Sequence, residues 1–220
     1  MLDRYYLEGS EIKFCSLQKD LGVLVDSSLR FHQHIRATVN KAAGIANNIL
    51  SATLCRSPQF MVFILVTYVR PIIEFANPVW NTGYLEDLRL LERVQRAWTK
   101  KVAGLENLPY EDRLSALDLY SVQGRLLRED LILWYKIFHG LSTIAPTDLF
   151  VRDGRPGMRG HEFKVYRQRA QTDLRLRFFS LRCAEVWNSL PSAVVTAPSV
   201  AAFKRGLHTA LGQRLFEFVP

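Results

Sequence analysis

Cysteine is scarce in this chain. Three occur, Cys15, Cys55 and Cys183, odd in number and far apart. That excludes the disulfide framework of a small secreted scaffold and points to an intracellular, reducing compartment, nucleus or cytoplasm. Long apolar runs are missing too. The most apolar stretch, Phe60 to Val69, is ten residues long and holds Thr67 and Tyr68, against the roughly 20 residues a bilayer demands, so it reads as a buried helix and no membrane partner is expected. The start, Met1-Leu2-Asp3-Arg4, lacks the charged-then-apolar layout of an export leader. There is no Gly-x-x-x-x-Gly-Lys phosphate loop and no Gly-x-Ser-x-Gly nucleophile turn. Two adjacent aspartates, which a two-metal nucleotidyl-transfer centre of the reverse-transcriptase kind places on a hairpin, are likewise absent. The acidic neighbours Glu86-Asp87, Glu111-Asp112 and Glu129-Asp130 fall on predicted helices in charged contexts and read as solvent faces. His32 and His34, two residues apart without a nearby cysteine, lack a zinc module's spacing and read as surface polar groups. These absences predict a chain with no catalytic centre, no metal and no cofactor.

What is present is size and positive charge. With 220 residues and 48% hydrophobic content, folding buries roughly 70% of the unfolded surface, enough for one large domain or two small ones. The net charge of +8 is uneven. Residues 1–28 carry 3 basic and 5 acidic side chains, 29–110 carry 10 and 5, 111–150 carry 4 and 6, and 151–220 carry 12 and 5. Two basic blocks separated by a slightly acidic one suggest two contacts with a polyanion.

Along residues 10–26, Ile12, Phe14, Leu21, Val23 and Val25 recur at period two and predict a short strand pair. From Phe31 the period becomes helical, with Ile35, Val39, Ala42, Ala46 and Ile49 on one face and Arg36, Asn40 and Asn47 elsewhere. Ser57-Pro58 is a helix start, and Pro71 and Pro78 are expected to break or kink the chain. Further helices are expected over 84–102, 110–119, 121–139, 179–190 and 199–211. Between them, Gly154, Pro156, Gly157 and Gly160 stand among arginines and predict a loosely ordered stretch over 152–160. The interleaved basic and apolar residues of 161–182 predict strand in part. Trp80, Trp98, Trp134 and Trp187 are expected in the core. The fold class is mainly α with a small β component: short strands over 1–28, a helical bundle over 29–145 and a smaller, basic α+β subdomain over 146–220.

The helix over 84–102 carries the clearest signal. Leu88, Leu91, Val94, Trp98 and Val102 share one side, while Arg89, Arg93, Arg96 and Lys100 line a narrow stripe on the other. At 1.5 Å per residue the stripe runs about 16 Å, long enough to pass several phosphates. Glu86 and Glu92 stand three or four residues from those arginines, so the alternative is a solvated face laced with weak ion pairs. In the second block, Arg159, Lys164, Arg167, Arg175 and Arg177 are the candidate phosphate contacts, with Phe163, Tyr166 and Phe178 as candidate base-stacking rings or core.

Six segments, in order, resemble one family: KDLGVLVDSSLRFHQHI (19–35), YVRPIIEFANPVWN (68–81), LRLLERVQRAWTKKVAGL (88–105), RLLREDLILWYKIFHGL (125–141), RGHEFK (159–164) and FFSLRCAEVWNSLP (178–191). The chain is similar to the region after the catalytic palm in reverse transcriptases of non-LTR retrotransposons, the jockey and chicken-repeat type of LINE element. The resemblance implies that residues up to about 27 are the last palm strands, that 29–105 form the thumb, and that the remainder is the element's C-terminal region. A thumb of this kind holds template and nascent strand, which gives the stripe RNA or DNA, duplex or hybrid, as its expected partner, with the rest of a reverse transcriptase as a further one. Fingers and the aspartate-bearing palm have no counterpart here, nor does the cysteine-histidine knuckle of some relatives, so polymerase activity does not carry over. A protein-interaction scaffold, or a relic without a role, stands as the alternative.

Overall fold

The computed structural model describes residues 5–152 and 160–219. Its N-terminus holds two antiparallel hairpins where one was expected: β1 (Tyr5–Leu7) with β2 (Ser10–Ile12), and β3 (Leu17–Asp20) with β4 (Val23–Asp26). Each turns through two residues at positive φ, Glu8-Gly9 and Leu21-Gly22, the turn whose twist matches that of the strands. Leu21 is thus a turn residue, 91% exposed, and Phe14 lies between the hairpins rather than in a strand.

The helices follow: α1 (His32–Ala52), α2 (Pro58–Ile64), α3 (Arg70–Glu74), α4 (Asn77–Trp80), α5 (Leu85–Thr99), α6 (Tyr110–Ala116) and α7 (Val122–Phe138). Pro71 does not break the chain. A π-helical turn over Leu65–Val69 joins α2 to α3, and its wider winding admits a residue that lacks an N–H and whose ring would clash with a carbonyl one turn back. The break comes later, at Ala76 with φ 53°, and Pro78 sits in the first turn of α4. Ser121 caps α7 by accepting the Gly124 amide at 2.9 Å.

Beyond α7 come α8 (Pro146–Leu149), α9 (Asp173–Leu176), α10 (Phe179–Arg182), α11 (Ala184–Ser189), α12 (Ser192–Val195), α13 (Val200–Leu211) and a 3-10 turn, Gly212–Leu215. The strand expected within 161–182 is reduced, among the described residues, to one bridge between Arg152 and Val165. Among the described residues no second strand lies beside the alternating segment, and Thr172 instead caps α9 by accepting the Arg175 amide. The helix expected over 179–190 is two, parted at Cys183. The stretch expected to be loosely ordered lies, over 153–159, outside the described residues.

Two cores meet along α7. The first gathers Ile35, Leu65, Val69, Trp80, Leu91, Trp98, Leu114 and Leu126; the second begins at Leu131 and gathers Trp134, Phe138, Phe150, Trp187 and Phe203. All four tryptophans are buried. The second core therefore draws on α7, upstream of the division expected at residue 145. Buried polar contacts fix this arrangement. Asp130 on α7 takes a two-point contact from Arg182 at 2.8 and 2.9 Å, and Arg182 also donates to the Pro78 carbonyl at 3.3 Å. A Cβ built on Gly124 would meet the Leu215 carbonyl oxygen at 2.2 Å, so only glycine lets the C-terminal turn cross α7 this closely.

Candidate nucleic-acid interface

Helix α5 packs on α1 and α7 through Leu88, Leu91, Val94 and Trp98, all buried. Its opposite side presents Arg89, Arg93, Arg96 and, at the C-cap, Lys100, every one exposed. None of the four makes an ion pair within 4.0 Å among the described residues. Glu92, which could have neutralised the stripe, points inward and is 2% exposed. Its carboxylate accepts the Tyr110 hydroxyl and the amides of Val122 (3.1 Å) and Gln123 (3.3 Å). Those amides are unsatisfied donors at the N-terminus of α7, where a negative charge is favoured. Burial nonetheless raises the Glu92 pKa, against the lowering effect of these hydrogen bonds. Glu86, the other candidate, is exposed and lies with His32 and Asp87. Arg96 stacks on the Tyr110 ring, 4.4 Å from its centroid, and makes no ion pair, though its charge still acts on the buried Glu92.

Beside the stripe runs a groove of about 410 Å³ between α1 and α5, lined by Arg36, Asn40 and Asn47 from α1 and by Arg93 and Lys101. Arg36, Asn40 and Asn47 mark the polar face of α1, and that periodicity was the available signal. Nothing in the sequence alone, however, puts this face beside Arg93. The groove has an apolar floor, formed by residues such as Val39, Leu50, Val94 and Trp98, and only its rim, Arg36, Asn40, Asn47, Arg93 and Lys101, adds polar and basic groups beside the stripe suited to phosphate and sugar contacts.

The second basic block is less uniform. Arg175 and Arg167 are exposed, Arg175 donating to Gln168 (3.0 Å) and Arg167 facing Glu185 at 3.5 Å. Arg177 is half-buried at the surface, and its guanidinium is taken up by contacts within the chain. It binds both Asp173 oxygens (2.9 and 3.0 Å), donates to the carbonyls of Thr82 and Gly83, and lies 4.0 Å from the Tyr84 ring centroid. Lys164 is half-buried against Gly160, and Arg159 lies outside the described residues. Phe163 packs against the second core, while Tyr166 and Phe178 are exposed.

Two acidic residues expected on solvent faces are buried: Asp130, against Arg182, and Asp87, 3% exposed, in contact with His32. Burial raises both their pKa values, opposed by those partners. His34, expected at the surface, is buried and its Nδ1 accepts the Leu24 amide at 3.2 Å, tying β4 to α1. Among the described residues one trio, His32, Glu86 and Asp87, brings metal-type donor atoms within 4.8 Å of one another. No described helix is long and apolar enough to cross a membrane.

No family model and no solved structure matches the chain. It is similar to an uncharacterized protein of Caenorhabditis elegans, 24% identical over 124 residues that cover 55% of this chain and 63% of that protein. The chain thus spans less than two thirds of that relative's length.

Proposed function

We propose that this chain is a nucleic-acid-binding fragment of a non-LTR retrotransposon reverse transcriptase, binding a template and nascent-strand duplex, or RNA, without polymerase activity of its own. One observation carries the reading: Arg89, Arg93, Arg96 and Lys100 stand exposed in register on α5, while Glu92 is turned inward onto α7. The adjoining groove, with Arg36 and Lys101, extends the same surface. Residues 1–28 then correspond to palm-end strands and 29–105 to the thumb, within a thumb-like helical domain that runs to 145, with the exposed Arg167 and Arg175 as a second phosphate contact. The reading is tested by salt-titrated binding to duplex, hybrid and single-stranded probes. If each stripe residue neutralises one phosphate, log K against log salt has a slope of about −0.9 per contact, and changing all four to Gln flattens it by roughly three to four units. A variant that stays folded and keeps the parent slope refutes the assignment.

A protein-docking role is the second reading, and the first hairpin favours it. Tyr5, Tyr6, Leu7 and Ile12 are all more than half exposed, and a lone two-stranded hairpin with both edges open is marginal in water without a partner. In the proposed setting that partner is the rest of a reverse transcriptase.

A further inference from the structure

A second cationic site lies away from the stripe, where α3, α7 and α13 converge on a cleft of about 590 Å³. Its walls carry Arg70, Arg125, Arg128, Lys204, Arg205 and His208, and Asp118 is the acidic residue among its lining. Two of these cations are already neutralised: Arg125 pairs with Glu74, and Arg128 with Glu129 at 3.3 Å. Arg70, Lys204 and Arg205 have no ion pair among the described residues.

Arg70 is the decisive member. It is only 8% exposed, and a buried guanidinium is costly unless an anion or a full set of acceptors compensates it. Its hydrogen-bond partner is the neutral Gln95 side chain, at a long 3.4 Å, and its Nε has none. Burial and the nearby Arg125 bring its pKa down to about 10, which leaves it charged at neutral pH. The two nearest carboxylates are spent, Glu74 on Arg125 and Glu92 on Tyr110 and the α7 amides. Arg128 likewise has a buried Nε without a partner. Tyr120 also lines the cleft, its hydroxyl bonded to His208 Nδ1 at 2.7 Å.

We infer that this cleft binds a compact, phosphate-terminated anion, held by Arg70 at its base and by Lys204 and Arg205 at its mouth. Guanidinium forks match phosphate oxygens two at a time, and an ammonium adds a point charge, so the donor set favours a doubly charged phosphate over a single carboxylate. The site stands independently of the α5 stripe. Its ligand is either a free phosphorylated compound or the phosphorylated end of a strand.

The test uses the full chain with pyrophosphate as probe, in sodium chloride at matched ionic strength, read by thermal shift and calorimetry. Pyrophosphate is expected to raise the melting temperature above the salt control. The double variant K204Q/R205Q, whose core neighbours Phe203 and Leu207 are untouched, is expected to weaken binding by about tenfold or more, and R205E further. The stripe variant R89Q/R93Q/R96Q/K100Q is expected to bind pyrophosphate as the parent does, so failure here and failure of the α5 interface are separable. Competition by an oligonucleotide bearing a 5′-phosphate, and not by its 5′-hydroxyl twin, assigns the ligand to a strand end; competition by neither assigns it to a free phosphate compound. No shift above the salt control, unchanged affinity in K204Q/R205Q, loss in the stripe variant, or effective competition by both oligonucleotides alike overturns the inference.

Discussion

The Glu92 carboxylate on α5 accepts the backbone N–H of Val122, the first residue of α7, at 3.1 Å. This one contact does two things. It satisfies a helix terminus inside the first core, and it removes from the outer face of α5 an acid that would otherwise neutralise Arg89, Arg93 or Arg96. Packing and surface charge are therefore coupled through a single side chain.

Glu92→Ala strands two amides and the Tyr110 hydroxyl in a buried site. The expected cost is about 2–4 kcal/mol. Glu86→Ala, on the exposed side of the same helix, should change stability by less than about 0.5 kcal/mol. Urea unfolding of both variants checks this. Equal, small effects would show that Glu92 is solvated and free to pair with the stripe.

Gly124→Ala places a methyl group against the Leu215 carbonyl, where the closest approach would be 2.2 Å. Backbone cannot rotate away as a side chain does, so the C-terminal turn must lift and give up the Ser121 amide bond to Leu215 (2.9 Å). A loss of about 1–3 kcal/mol is expected, with faster amide exchange at Ser121. Ala at Gly44, where a Cβ meets nothing within 4 Å, is the control and should be neutral or slightly stabilising.

His34 supplies part of the pH dependence, alongside the buried His161, whose pKa burial also lowers. Burial lowers the His34 pKa, and its Nδ1 must stay unprotonated to accept the Leu24 amide. The folded value lies below the unfolded one, so the folded state binds the proton less tightly. Stability from this group is complete above the unfolded histidine range and falls as pH drops through that range toward the folded value, by up to about 1.4 kcal/mol per pH unit. Unfolding measured at about pH 7.5 and about pH 5.5 should show the loss in the parent. His34→Asn, which keeps an acceptor and cannot protonate, should reduce the loss and leave the share due to His161, and parallel profiles for the two proteins would remove His34 as a cause.

Much of this fold was legible because periodicity reports burial. The faces of α1, α5, α7 and α13 follow from apolar spacing, and Ser121 and Ser199 announce their helices by accepting the amides of Gly124 and Ala202. What was not legible depends on partners distant in sequence. Asp87 and Asp130 look like solvent-facing acids until His32 and Arg182 are brought to them, 55 and 52 residues away. Pro71 reads as a break because the π turn before it leaves no mark in the local composition. The strand expected over 161–182 had the right alternation, yet a strand exists only where a second one pairs with it. At the site, the α5 stripe came from spacing alone, whereas the orientation of Glu92 and the α1 wall of the groove required the fold.

The arginines of the second basic block separate on the same principle, and the separation is measurable. Arg177 anchors the end of α9 to the start of α5 through the carbonyls of Thr82 and Gly83 and the Tyr84 ring, while its pair with Asp173 stays within α9. Arg175, two residues earlier, is exposed and bonds only the Gln168 side chain, beside the Phe178 ring. Arg177→Gln keeps a polar group but loses the fork and the stacking, so a destabilisation of about 1–3 kcal/mol is expected. Part of the Arg177 contact is solvent-screened, which holds the figure toward the lower end. Arg175→Gln, paired with Arg167→Gln, should leave stability within about 0.5 kcal/mol and instead lower the salt slope of nucleic-acid binding by up to about two units. The two variants thus move different observables. If Arg177→Gln left stability untouched and reduced the salt slope by about one unit, its guanidinium would be meeting phosphate in solution rather than holding α9 in place.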